Sequence, residues 1–411
     1  MRHIKDKNIV IGISGGIAAY KSAELLRLIQ KQDANVRVVM THNAGYFVGP
    51  LTFEALSKEP VYTDTFEKGG NSEIRHIEWA KDADAVVVAP ATANIIGKIA
   101  NGIADDALST FLLAVTCPVL ICPSMNTNMY EKISVLRNIE TLKKDGYYIV
   151  EPASGELACG TSGQGRLPEP EEILDRLIYC LSPKDFKGKK ILVTAGPTRE
   201  HIDPVRFISN PSSGKMGYAI ARAAEHRGGD VTLVSGPVNL EPPVNITMVN
   251  TVSAADMAKA VFDSMENFDI IIKTAAVSDY RPKEAAKQKI KKGMDEISLV
   301  LQKNEDILFE LGKNKKNRVL VGFAAETENL EKNAKDKLAR KNLDIIVGNL
   351  VGERPDEQND ENDDEKSPVF GMDTNKVVFF FRNGDTEHLP LMEKGMVAHA
   401  LLDRIADIDK R

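Results

Sequence analysis

Short, unbroken apolar runs recur along this chain, separated by stretches of helical period and by turns of glycine and small residues. In the first half these runs are 8–14 (NIVIGIS), 36–40, 84–90 (DAVVVAP) and 118–123 (PVLICP). None alternates apolar with polar positions, and none is long enough for an ordinary helix, which predicts strands buried on both faces. Gly15-Gly16 turns the first run into a helix over 18–31, so strand, turn, helix and strand follow as a βαβ unit. Further helices are expected over 71–80, from within 101–110, and over 168–179, the last opened by prolines.

A polar stretch at 182–189 interrupts the pattern, which then restarts. Strands are predicted at 190–195, 231–235, 318–324 and 344–348, and one beginning at 270 that leads into a small-residue turn ending at 280. Helices fit 218–226, 329–341 and 392–406, and Asn383-Gly384 between 376–381 and 387–389 signals a hairpin. The expected class is α/β: two doubly wound Rossmann-like domains with mainly parallel sheets, residues 1–181 and 190–411, joined by a linker. The acidic segment 353–366 carries too little apolar surface to join a core.

Composition narrows the function. At 411 residues the chain exceeds one ordinary core, consistent with two. A net charge of −6 gives no electrostatic case for nucleic acid or an anionic membrane, and no apolar run approaches the length of a span. Cys117, Cys122, Cys159 and Cys180 form no CxxC pair and no disulfide framework, so reduced thiols and a cytoplasmic location are expected. The charged segment 1–7 runs straight into a strand, unlike a signal peptide.

The turn at 14–17 opens a helix whose free backbone N–H groups suit an anion. It lacks GxGxxG, and the second strand ends Met40-Thr41-His42-Asn43 with no acid to grip a ribose. A phosphate monoester fits better than a dinucleotide, which counts against an NAD(P)-dependent oxidoreductase. The polar tips 91–94 and 124–126 would face one crevice at the carboxyl ends of strands. His76 is either a surface group or part of that site. The glycine-dense stretch 155–166 holds Cys159 and ends in Arg166; it is either an exposed loop with an incidental thiol or a mobile flap that folds over a ligand. In the second half, 209–217 (SNPSSGKMG) supplies serines, glycines and a lysine at a helix start, a phosphate cradle without Walker A spacing. Asp279 is either a turn cap or a ligand for a phosphate-bound Mg2+. The lysine run 287–292 is either a solvated face or part of the phosphate site.

Taken together, Ser14-Gly15-Gly16-Ile17, His76, Ala89-Pro90-Ala91-Thr92-Ala93-Asn94, Pro123-Ser124-Met125-Asn126 and Ala158-Cys159-Gly160 resemble the homo-oligomeric flavin-containing cysteine decarboxylases, over residues 7–181. The likeness is to their phosphopantothenoylcysteine decarboxylase branch. It implies FMN held by Ser14, Gly15, Gly16, Ile17, Thr41, Asn43, Thr92, Asn94 and Ser109. It also implies thiol oxidation on the flavin, loss of CO2 and re-reduction. His76 would act as a base or place the substrate, Asn126 would hold the carboxylate, and Cys159 would return a proton. Met129 and Arg166 would touch substrate.

Residues 208–217, 275–280 (AAVSDY), 289–292, Lys303-Asn304 and 322–327 (GFAAET) resemble the CTP-dependent phosphopantothenate–cysteine ligases. That implies an acyl-cytidylate bound by Asn210 and formed with the help of Lys289. It implies a CTP site of Ser212, Gly214, Lys215, Met216, Lys273, Thr274, Ala275, Asp279, Lys289, Glu305, Asp306, Ile307, Leu308, Phe323, Lys337 and Lys341, with a divalent cation near Asp279. The resemblance further implies decarboxylase trimers and ligase dimers, the latter through 203–207. The rival within the same fold is a non-catalytic FMN-binding protein.

Overall fold

The computed structural model describes residues 4–65, 75–156, 162–291, 297–350 and 371–409. The chain divides into two compact units, Met1–Ser182 and Pro183–Arg411.

The first unit is built on a five-stranded sheet: β1 (Asn8–Ile13), β2 (Asn35–Met40), β3 (Ala85–Ala91), β4 (Val119–Pro123) and β5 (Tyr148–Ile149), in the order β2-β1-β3-β4-β5. Every pairing is parallel. Every residue of β3 is buried, which is why its sequence shows no polar alternation. One face packs on helices Ala19–Gln30 and Pro170–Leu181 through Leu25, Leu26, Ile173 and Leu177. The other packs on helices Ala93–Ala100 and Ala107–Ala114 through Ile96, Leu108 and Phe111. Strand order reverses between β1 and β3, where doubly wound sheets open a crevice for ligand.

The stretch read as a flap has a strand on each side of residues 157–161, which lie outside the described residues. β6 (Ala153–Glu156) and β7 (Ser162–Arg166) form an antiparallel pair, while Cys159 lies outside the described residues. The glycines of β7 permit close approach to a neighbour. A Cβ on Gly165 would stand 2.2 Å from the Met125 carbonyl oxygen, and its φ of +146° already disfavours other residues. A Cβ on Gly163 would meet Thr127 Oγ1 at 2.7 Å. The Met125 N–H donates to the Gly165 carbonyl at 2.9 Å, so the hairpin is fastened to the segment after β4.

The second unit carries an eight-stranded sheet. The strands of the whole unit, within that sheet and outside it, are in chain order β8 (Lys190–Ala195), β9 (Arg199–His201), β10 (Phe207–Ser209), β11 (Asp230–Ser235), β12 (Thr247–Asn250), β13 (Ile270–Lys273), β14 (Tyr280–Pro282), β15 (Leu301–Lys303), β16 (Val319–Glu326), β17 (Ile345–Leu350), β18 (Thr374–Asn375), β19 (Val378–Phe381), β20 (Thr386–His388) and β21 (Met392–Glu393). The main sheet runs β12-β11-β8-β13-β16-β17-β19-β20. It is parallel through β17, and β19 and β20 add an antiparallel edge joined across Asn383-Gly384. Small pairs β9–β10, β14–β15 and β18–β21 stand outside it. The expected C-terminal helix is present as Lys394–Asp409, but Met392 and Glu393 belong to β21. The acidic segment 353–366 lies outside the described residues.

Candidate functional site

In the first unit a cavity of about 730 Å³ opens at the β1/β3 crossover. Its lining includes Gly15, Gly16, Ile17, Lys21, Thr92, Ser124, Asn126, Met129 and Arg166. The N–H groups of Gly15, Ile17 and Ala18 precede helix Ala19–Gln30 and meet no backbone acceptor among the described residues. A phosphate at that helix start would meet three donors and the positive end of the helix dipole.

The Ser14 hydroxyl is committed elsewhere. It is buried, donates to the Pro90 carbonyl at 2.8 Å and accepts from the Thr92 N–H at 2.9 Å. It ties the end of β1 to that of β3, and so keeps the Gly15-Gly16 turn beside Thr92. Gly15 is held in turn by Asn43, whose Cβ would lie 2.5 Å from an added Cβ.

The other expected flavin contacts spread wider. Thr41 caps a short 3-10 turn by accepting from the Ala44 N–H, and lines a separate cavity of about 650 Å³ with Asp105 and Asp106. Ser109 is buried in a capping box with Asp106. Asn94 is exposed on helix Ala93–Ala100. Neither Ser109 nor Asn94 lines either cavity.

Asn126 lines the crossover cavity while capping helix Thr127–Tyr130, its Oδ1 accepting from the Asn128 N–H at 2.9 Å. Arg166 lies on β7, and its guanidinium pairs with Glu169 at 3.1 Å. Glu169 also accepts from Lys21 at 2.8 Å. The Lys21 hydrogen bond outweighs burial and holds the Glu169 carboxyl below its ordinary range. Two cations on this cavity wall thus share one carboxylate. Lys21 and Glu169 were absent from the expected set, because partners 148 residues apart leave no spacing signal. His76 sits, partly exposed, in the first turn of helix Arg75–Asp82 and lines neither cavity.

The second unit has two neighbouring cavities divided by the segment after β13. The first, about 350 Å³, is lined by Asn210, Ser212, Gly214, Lys215, Met216, Thr274, Ala275 and Phe323. Gly196, Asn349, Asn375 and Lys394, not expected from sequence, complete it. The Gly214 backbone, at φ +76°, starts helix Lys215–His226. Gly217 lets that helix pass close to β8, since a Cβ there would lie 2.5 Å from Ala195 Cβ. Lys215 is tied to Asp373 at 2.7 Å and to the Gly371 carbonyl. Asn210 Nδ2 donates to the Ala276 carbonyl at 3.1 Å.

The second cavity, about 370 Å³, is strongly charged: Lys273, Asp279, Lys303, Glu305, Asp306, Ile307, Lys337, Arg340 and Lys341 line it. Asp306 caps helix Ile307–Lys313 and pairs with Lys341 at 2.8 Å. Burial pushes the Asp306 carboxyl up, but Lys341 and the Phe309 N–H together hold it below the ordinary range. Lys337 is paired with Glu326. Lys273 has no such pair among the described residues. Burial first, then the charge of Lys341, pull its ammonium down to about 8, against Asp306 and Asp279. Leu308 is buried beneath the cavity. Lys289 is exposed and lines neither cavity. Among the described residues, no three carboxylate, histidine or cysteine groups converge to hold a metal ion. No helix among them is long and apolar enough to cross a membrane.

Residues 1–182 match the family described as Flavoprotein, and residues 186–408 match the DNA/pantothenate metabolism flavoprotein C-terminal domain. The coenzyme A biosynthesis bifunctional protein CoaBC of Bacillus subtilis is 48% identical across 99% of this chain and 98% of that relative. The protein of the same name from Haemophilus influenzae is 46% identical across 98% of each. A solved C-terminal domain of such a bifunctional protein is 43% identical, covering 55% of this chain and 97% of its own, with a TM-score of 0.45.

Proposed function

The chain belongs to the family of bifunctional coenzyme A biosynthesis proteins, and from that premise we propose how its two units divide the work. The second unit joins 4'-phosphopantothenate to L-cysteine with CTP. The first removes CO2 from the resulting 4'-phosphopantothenoylcysteine to give 4'-phosphopantetheine. The observation that carries this reading is the near-complete span of the match, which takes in both units. A non-catalytic flavin-binding relative would not call for both.

In the ligase half the substrate carboxylate attacks the α-phosphorus of CTP. Pyrophosphate leaves, and an acyl-cytidylate forms. The cysteine amine then attacks the acyl carbon, releasing CMP and one proton. The cations of the charged cavity suit a triphosphate, and a Mg2+ ion would enter with the nucleotide, close to Asp279. Asn210, at the mouth of the neighbouring cavity, is the group assigned to hold the acyl-cytidylate, and Lys289 the one assigned to its formation.

In the decarboxylase half, bound FMN supplies the oxidation of the substrate thiol and returns the electrons after CO2 has left. The crossover cavity suits its phosphate, because Gly15, Ile17 and Ala18, whose N–H groups meet no backbone acceptor among the described residues, all line it at the start of a helix. Asn126 holds the substrate carboxylate, Arg166 and Lys21 attract the substrate's anionic end, and Cys159 gives a proton to carbon. The apolar side chains exposed on this unit, Ile17, Tyr20, Tyr46 and Leu51 among them, suit burial in a trimer, and the ligase unit pairs as a dimer.

Two variants separate the halves. Asn126→Asp places a carboxylate against the substrate carboxylate, so CO2 release falls roughly 100-fold or more while amide formation is kept. Lys289→Gln does the reverse: it blocks amide formation and leaves decarboxylation of supplied 4'-phosphopantothenoylcysteine intact. Loss of both activities in either variant would contradict the division.

A further inference from the structure

Asp203 is a buried carboxylate that neither half-reaction uses; it is 1% exposed in the turn between β9 and β10. Its Oδ1 accepts from the N–H groups of Val205 and Arg206, each at 2.8 Å, which closes the turn. Its Oδ2 accepts from the N–H of Ile290 at 3.2 Å, the residue next to Lys289.

The same segment is fastened twice more. The Arg206 guanidinium donates to the Ile290 carbonyl at 3.1 Å and stands 3.7 Å from Asp203. The Ala286 N–H donates to the Ile202 carbonyl at 2.8 Å. The turn itself sits on a short ladder pairing Phe207 with His201 and Ser209 with Arg199. The Arg199 guanidinium lies 4.7 Å over the Phe207 ring. Residues 286–290 form no helix or strand of their own, so these bonds are what fix the backbone carrying Lys289.

We propose that Asp203 is a positioning residue for the ligase reaction, its carboxylate holding the 286–290 segment so that Lys289 is presented at a fixed place for acyl-cytidylate formation. The proposal rests on the reading of Lys289 given above. A buried carboxylate is costly unless its lone pairs are filled, and three backbone N–H groups fill them here. Burial pushes the Asp203 carboxyl up, but these N–H groups and Arg206 hold it below the ordinary range, so it accepts from all three in its ionised form. The side chain of Lys289 is exposed, and no bond to it is found among the described residues. Order in its backbone is therefore the means of aiming it. An isosteric Asp203→Asn keeps the volume but puts an amide N–H where one of the three donors must find an acceptor.

The test uses the full-length protein with Asp203→Asn, Lys289→Gln and the double variant. Acyl-cytidylate formation from 4'-phosphopantothenate and CTP is measured without cysteine, by rapid quench. Aminolysis of supplied acyl-cytidylate by cysteine is measured separately. Asp203→Asn is expected to slow the first step roughly 10–100-fold, and to leave the second within about threefold of wild type. In the Lys289→Gln background it should add less than about threefold, because the two act as one unit.

A wild-type first step in Asp203→Asn, equal slowing of both steps, or fully additive losses would each overturn the proposal while leaving the Lys289 reading standing. A wild-type first step in Lys289→Gln would overturn that reading and the proposal together.

Discussion

At the scale of single residues, the same side-chain types do quite different work according to what they touch. Ser14 and Ser109 are both hydroxyls near a helix start, yet both are committed to backbone partners. The phosphate site proposed at the Gly15-Gly16 turn therefore rests on main-chain donors, and the serine hydroxyl beside it serves the fold. Lys273 shows the opposite case, a cation in a charged cavity with no ion pair among the described residues. Its ammonium titrates near about 8 in the folded chain and near ~10.4 when unfolded. Between those values the unfolded chain binds more protons, so this group's contribution to stability rises with pH across that window and is constant below it. Lys273→Met, which is never charged, should accordingly be more stable than wild type below pH 8. The gain is on the order of 1 kcal/mol once screening of a half-buried group is allowed for, and it should shrink as pH rises toward 10. Urea melts of the ligase transition at pH 7 and pH 9.5 measure it; a gap that widens with pH would contradict the assignment.

At the scale of elements, what could be read from sequence followed from burial. β1, β3, β4, β8 and β13 are covered on both faces, so their apolar runs stand out and their order along the chain is plain. The short pairs β6–β7 and β9–β10 carry polar and glycine residues, and their partners are set by tertiary bonds. The stretch 155–166 read as a flap, and the close approach of its Gly163 and Gly165 to Thr127 and Met125 left no signal in the sequence. The nucleotide residues were named from motifs, but their division between two cavities depends on how the segment after β13 folds. Gly165→Ala tests the hairpin directly. It forces a Cβ into the Met125 carbonyl and a strained φ, at a cost of roughly 1–3 kcal/mol. Loosening of the 124–127 segment should weaken substrate binding in the decarboxylase half, seen as a higher KM for 4'-phosphopantothenoylcysteine with amide formation unchanged. An unaltered KM and an unaltered melt would show that the hairpin is not seated there.

At the scale of the whole molecule, each unit has a cavity at the carboxyl ends of parallel strands beside a glycine-bearing turn before a helix. The same architecture serves redox decarboxylation in one unit and nucleotide-driven amide formation in the other, so the fold alone decides neither. The decision comes from the charged second cavity, the unused donors after β1, and a family match that covers both units. The central claim is that one chain performs two consecutive reactions. It is tested most directly by giving the purified, FMN-loaded protein 4'-phosphopantothenate, cysteine, CTP and Mg2+, and following products by mass. With CTP present, 4'-phosphopantothenoylcysteine should form and then lose CO2 to give 4'-phosphopantetheine, with CMP and pyrophosphate released; without CTP, neither product should appear. An amide that never loses CO2, or no amide at all, would contradict the account.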